Sequence, residues 1–395
     1  MLKMGNREKL VYVEPAWKYP LSIRDLVLYP PEGYRFIAPK ERSESVFRFL
    51  AKYDISYRLQ AFIGNFVPLQ LLKSYFNKLK SPPKESVLTY SLCHLVPRKE
   101  PWILDMISEL PYILAWNEKH LEKYKDRVKK VLSSNYCRKI ICRVNKGKEA
   151  FLATFGEELD DKIEVVYWGA TTKNFKKEYD KERVKILFVN SGNINTALHF
   201  YAKGGAEVVE AFKVLSQEHN NIELVIRSGM PQSLKRKLMR LSRVKVIDKP
   251  IPSSELEKEW LSAAIFVLPN HVNTPAQVFF DAMSYGLPVV TTDTWANSEL
   301  IEDNKTGFLI HNPLSARFQE GSILHLTHPE YLKEIMKGPE PKVVEGLVKV
   351  ISTLIENPEL RKKMGGAARW EIEYGKFSLK KRNEKLKRIL DEASI

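Results

Sequence analysis

Doubly wound parallel α/β sheets are what this sequence predicts, and three observations predict them. Short apolar runs alternate with segments of helical spacing: Val184–Val189, Ile222–Arg227, Val244–Asp248 and Ala264–Leu268 read as strands separated by helices. Within these runs the apolar residues stand mostly on consecutive positions, the pattern of a sheet covered on both faces. A length of 395 residues suffices for two or three domains, each with its own core.

The stretch Asn270 to Thr292 is the most fully signposted. Pro269 ends the preceding strand. Thr274 is an N-cap by type, Pro275 occupies the first helical position, and Gln277 stands three residues after the cap to complete a capping box. The helix runs through Val278, Phe279, Ala282 and Met283 until Gly286 and Pro288 stop it, and Val289–Thr292 is the next strand. A helix that starts beyond the carboxyl end of a parallel strand offers unpaired N–H groups and a positive dipole end, a natural seat for phosphate. Asp281 lies seven residues after the cap, roughly 10 Å along the axis at 1.5 Å per residue. That is about the reach from a diphosphate to its ribose. Its carboxylate is a candidate acceptor for ribose hydroxyls, with a solvated helix charge as the alternative.

The stretch resembles the donor-site signature of family-4 glycosyltransferases, retaining enzymes of the GT-B fold. In that signature two acidic residues eight positions apart flank a helix start, and the second is followed by Ala-Met and then Gly-x-Pro-Val. Asp281-Ala282-Met283 and Gly286-Leu287-Pro288-Val289 match, while Asn273 stands at the first acidic position. Asn304 to Ile310, beyond Glu299, resembles the turn and strand that follow. The resemblance covers residues 100 to 385 and implies two Rossmann-like domains facing a central cleft, with the last helix crossing back onto the first. The implied limits are 1–178 for an acceptor-binding domain, 179–370 for a nucleotide-sugar domain and 371–395 for the crossing helix.

The resemblance also implies site residues. Lys203, before Gly204-Gly205 at a helix start, matches the family's phosphate lysine and is expected to be catalytic. The family's arginine is missing near Ser191 in a longer loop that includes Gly192, and Arg227 at the next strand end is the candidate replacement. The expected donor site is Gly192, Lys203, Arg227, Asn273, Thr274, Ala276, Gln277 and Asp281.

In the first half, Leu10–Glu14 and Ser86–Cys93 read as strands, and Ser43–Ala51 and Val67–Leu79 as helices. Glu100–Met106 is a Pro-started strand. In related glycosyltransferases the loop after the equivalent strand reaches the sugar. Asp105, Ser108 and Glu109 are the polar candidates there, with Asp105 the expected catalytic carboxylate and a strand-end loop residue as the other reading. Asn117–Leu132 is an amphipathic helix whose outer face reads as basic. Tyr167–Ala170 resembles the turn that closes the first domain, Lys173–Arg183 reads as a linker, and residues 361–395 read as helices broken near Tyr374-Gly375-Lys376.

The formal charge is +15, and residues 1–178 hold 32 Lys and Arg against 21 Asp and Glu, so most of the excess lies there. Such a bias favours an anionic partner: a phosphate-bearing acceptor, an anionic membrane surface or nucleic acid. Nucleic acid is not the expected partner, because the basic residues are dispersed and no familiar recognition module occurs. Three cysteines at irregular spacing exclude a disulfide framework and fit a reducing, cytoplasmic setting. No run of about eighteen apolar residues occurs, so membrane contact would be peripheral. No Asp-x-Asp triplet is present, so no metal and no cofactor beyond the donor substrate is expected. The expectation is a retaining, metal-independent transfer of a sugar from a nucleoside diphosphate to a glycan, lipid-linked or small-molecule acceptor. The alternative is a catalytically silent sugar-nucleotide-binding subunit, motivated by Asn273.

Overall fold

A computed structural model describes residues 8–14, 21–37, 63–64, 66–77, 81–107, 111–175, 183–190, 197–272, 277–315 and 329–395. The helix expected over 43–51 lies outside them. The chain forms two units, Met1–Gly169 with Leu379–Ile395, and Ala170–Ser378. Ala170 forms a parallel bridge with Ser378, and its N–H donates to Phe377 O at 3.0 Å. The units divide at 169/170 and 378/379, where the sequence reading has 178/179 and 370/371.

The first unit contains β1 (Lys9–Glu14), α1 (Leu21–Leu28), β2 (Tyr34–Ile37), α2 (Leu69–Asn77), β3 (Ser86–Leu92), β4 (Trp102–Met106), α3 (Glu118–Leu132), β5 (Cys137–Cys142), α4 (Asn145–Phe155) and β6 (Ile163–Val165). Its six strands are all parallel, in the order β2-β1-β3-β4-β5-β6. Asn117 caps α3 by accepting from His120 N at 2.9 Å, and Leu121, Val128 and Leu132 bury one stripe of it. The outer face is mixed, not uniformly basic: Glu118, Glu122 and Asp126 are exposed among Lys119, Lys123, Lys125, Arg127 and Lys130.

The second unit contains β7 (Val184–Val189), α5 (Ala197–Ala202), α6 (Gly205–Glu218), β8 (Ile222–Arg227), α7 (Gln232–Leu238), β9 (Val244–Ile247), α8 (Ser253–Ser262), β10 (Ile265–Val267), α9 (Gln277–Ser284), β11 (Val289–Thr292), α10 (Asn297–Leu300), β12 (Gly307–Ile310), α11 (Pro329–Lys337), α12 (Pro341–Glu356) and α13 (Pro358–Glu373). Its sheet is also all parallel, in the order β12-β11-β10-β7-β8-β9. The chain lays β8 and β9 on one side of β7, then crosses to place β10 on the other. This makes the β7/β10 edge the topological switch point, where loops part at the carboxyl ends and leave a crevice.

The last helix, α14 (Leu379–Ala393), belongs to the first unit. Leu386, Ile389, Leu390 and Ala393 share one core with Val11, Tyr34, Phe36 and Tyr90, and Tyr34 Oη donates to Asp391 Oδ1 at 2.7 Å. The chain leaves the second unit through the break between α13 and α14, where Tyr374-Gly375-Lys376 lies.

Candidate functional site

Two loops meet at the switch point of the second sheet. Gly204 sits in the left-handed region at φ +74°, and a Cβ there would lie 2.2 Å from Pro269 O. Only glycine serves both demands. The contact sets Lys203 against the loop that follows β10, and His271 N donates to Ala202 O at 3.0 Å across the same junction. Below it, Glu207 in the first turn of α6 is hydrogen-bonded to His271 Nε2 at 2.8 Å, while Asn312 Nδ2 lies 3.1 Å from His271 Nδ1. All three side chains are buried, so the loop before residue 273 is held firmly.

Lys203 is itself buried, and burial pulls its ammonium down to about 8. Arg227 stands at the end of β8. Its Nη1 donates to Asn190 O at the end of β7, and its Nε is buried without a hydrogen-bond partner. Burial lowers the guanidinium's pKa, and among the described residues no carboxylate forms an ion pair with it. A half-buried guanidinium with no carboxylate partner among the described residues, at the carboxyl ends of parallel strands, is a place for an anion.

Gln277 begins the described part of α9, and Asp281 is exposed one turn later. Phe279, Phe280, Ala282 and Met283 bury the helix, leaving Asp281 on its open side. The neighbouring Tyr285 donates to Glu257 Oε1 at 2.9 Å and stacks on Trp260 at an interplanar angle of 2°. Gly192, Asn273, Thr274 and Ala276 lie outside the described residues, as do Ser108 and Glu109.

Asp105 is not at a reactive surface. It has no solvent exposure, pairs with Arg143 Nη2, and accepts from Tyr90 Oη at 2.7 Å. Arg143 in turn donates to Val166 O at 3.2 Å and lies 3.9 Å over the Trp168 ring. The expected catalytic carboxylate is thus half of an interior ion pair, because β5 brings an arginine 38 residues later to its side. Sequence reasoning also misses His199 on α5. Its Nδ1 is 3.0 Å from Asn190 Nδ2, and burial together with the Lys203 charge lowers its pKa to about 4. A six-residue helix is too short to show periodicity, so no signal marked that histidine.

Comparison with known proteins bears on the same region. Residues 183–323 match the family model described as Glycosyl transferases group 1. YtcC of Bacillus subtilis (strain 168) is 25% identical over 152 residues, a stretch that is 36% of this chain and 36% of YtcC. Similar solved structures include Anabaena Alr3699/HepE in complex with UDP and glucose, at TM-score 0.60 and 13% identity, covering 97% of this chain and 99% of that one. A glycosyltransferase from Rickettsia africae ESF-5 has TM-score 0.61 at 15% identity over 98% and 99% of the two chains. WaaG, a glycosyltransferase of lipopolysaccharide biosynthesis, has TM-score 0.54 at 14% identity over 96% and 99%. Residues 183–323 are thus similar to the glycosyl transferases group 1 family, on a chain of GT-B fold.

Proposed function

We propose that this protein is a glycosyltransferase that takes a sugar from a nucleoside diphosphate, with UDP the first base to test, and retains the anomeric configuration. The observation that carries the reading is a buried lysine, Lys203, and a half-buried arginine, Arg227, at the carboxyl ends of strands beside the switch point of the second sheet. As the bond between sugar and diphosphate breaks, negative charge grows on the leaving phosphate and positive charge on the anomeric carbon. Cations held in a low-dielectric crevice stabilise that leaving group without reorganising. The acceptor hydroxyl then attacks from the face the diphosphate leaves, and its proton passes to the departing phosphate oxygen. Turnover without added metal belongs to the same proposal, since Lys203 and Arg227 would neutralise the phosphates. The test is release of UDP from UDP-glucose and other UDP-sugars. Slow hydrolysis without acceptor supports an enzyme, whereas tight binding with no release favours the silent subunit that Asn273 suggests.

Asp281, exposed one turn into α9, is assigned to the ribose. Asp281→Ala should weaken UDP binding by about 1.5–3 kcal/mol, since a charged hydrogen-bond acceptor is lost. Calorimetry checks this, and unchanged affinity in a folded variant contradicts it.

The acceptor is assigned to the first unit. A lipid-linked acceptor is favoured by the exposure of Phe66, Leu72 and Tyr75, with Arg127 lying 4.9 Å over the Tyr75 ring. Aromatic and basic groups together suit the headgroup region of an anionic membrane. Co-sedimentation with anionic vesicles should exceed that with neutral ones and fall with salt. Equal, negligible binding to both at low salt leaves a soluble acceptor.

A further inference from the structure

Asn190 connects two groups that carry the site. Its carbonyl oxygen receives Arg227 Nη1, and its side-chain amide reaches both Ser228 Oγ, at 3.3 Å, and His199 Nδ1, at 3.0 Å. The Ser228 hydroxyl donates to Gly229 O at 3.0 Å, so toward Asn190 it offers a lone pair. The amide nitrogen therefore faces Ser228, and its second hydrogen points to His199 Nδ1. An imidazole that accepts at Nδ1 carries its proton on Nε2. His199 and Lys203 are four residues apart, the spacing that brings side chains to one side of a helical turn.

We propose that His199 is a donor-contacting residue, held by Asn190 as an Nε2–H hydrogen-bond donor that binds the diphosphate beside Lys203. The assignment rests on the nucleotide-diphosphate reading above. It gives the site what the loop after β7 lacks in the absence of an arginine: a third donor close to the phosphates. An uncharged N–H suits this place better than a further cation. Lys203 already acts on His199 electrostatically, and its repulsion with a protonated imidazole would be unfavourable. Asn190 acts through His199 and Arg227 and is a positioning residue.

The experiment combines imidazole ¹⁵N spectroscopy with UDP calorimetry. In the ligand-free protein the His199 ring, identified by its loss in His199→Gln, should be the Nε2–H tautomer. Asn190→Asp, an isosteric change that turns the donor into an acceptor, should flip it to Nδ1–H. His199→Phe should lower UDP affinity roughly 10- to 100-fold, as for a lost hydrogen bond to a charged group. His199→Gln, which keeps an N–H, should recover part of the loss. An Nδ1–H tautomer in the wild type overturns the assignment. So does a folded His199→Phe protein that binds UDP within about twofold of wild type. If the wild type binds none of UDP, GDP and ADP, the functional reading fails and this contact with it. Wild-type binding with no loss in the variants removes this contact alone.

Discussion

Asp105→Ala is expected to destabilise the protein by about 3–5 kcal/mol, the penalty for leaving one member of a buried ion pair uncompensated. The stranded partner would be Arg143, which is 2% exposed and packed on Trp168. Arg382 lies close enough to feel its charge: burial first, then Arg143, pull the Arg382 pKa down to about 10. Removing Asp105 therefore leaves two guanidinium groups in one interior and takes the acceptor from Tyr90 Oη. Asp105→Asn keeps the shape and part of the hydrogen bonding, so its loss should be smaller. Urea denaturation measures both. A loss below about 1 kcal/mol for Asp105→Ala, the size of an exposed ion pair, would contradict an interior pair at this position.

On the proposed function Lys203→Ala should lower kcat by about 100-fold or more while raising the donor KM far less, because the charge the lysine would meet grows as the diphosphate leaves. A change in KM alone would leave Lys203 a binding role and remove the transition-state one. The same lysine gives a pH signature. Burial places it at about 8, and on the proposed function a bound diphosphate would raise it. Binding then takes up a proton wherever the free lysine is deprotonated. UDP affinity should accordingly be at its full value below pH 8 and decline as pH rises through it. UDP's own titration is common to both proteins, so the decline above pH 8 should vanish in Lys203→Ala.

Much of the second unit was legible because its strands are unbroken apolar runs and its turns carry glycine or proline. Val184–Val189, Ile222–Arg227 and Val289–Thr292 fall where the composition puts them. Lys203-Gly204-Gly205 was legible for the same reason, since a backbone crossing close to Pro269 admits only glycine. Asp105 shows where such reading stops. A carboxylate at a strand end looks the same whether it faces a crevice or an arginine from the next strand, and only the register of β4 with β5 decides. The mixed outer face of α3 is a second case: its basic residues dominate the sequence count, but Glu118, Glu122 and Asp126 share the same exposed surface. Asn190 and His199 were invisible because their meaning comes from each other and from Ser228, which stands 38 residues beyond Asn190. The short helices α5 and α7, six and seven residues long, offer no periodic pattern to read.

The measurement that tests the central claim most directly is calorimetric titration of UDP into the wild-type protein and into Arg227→Met. The guanidinium of Arg227 is half-buried, has no carboxylate partner among the described residues, and stands at the carboxyl edge of the second sheet. Saturable binding to the wild type is predicted, weakened at least tenfold in the variant, as expected when a charged hydrogen-bond donor to phosphate is lost. Absence of saturable binding of UDP, GDP and ADP to the folded wild type would contradict it, as would equal affinity in Arg227→Met.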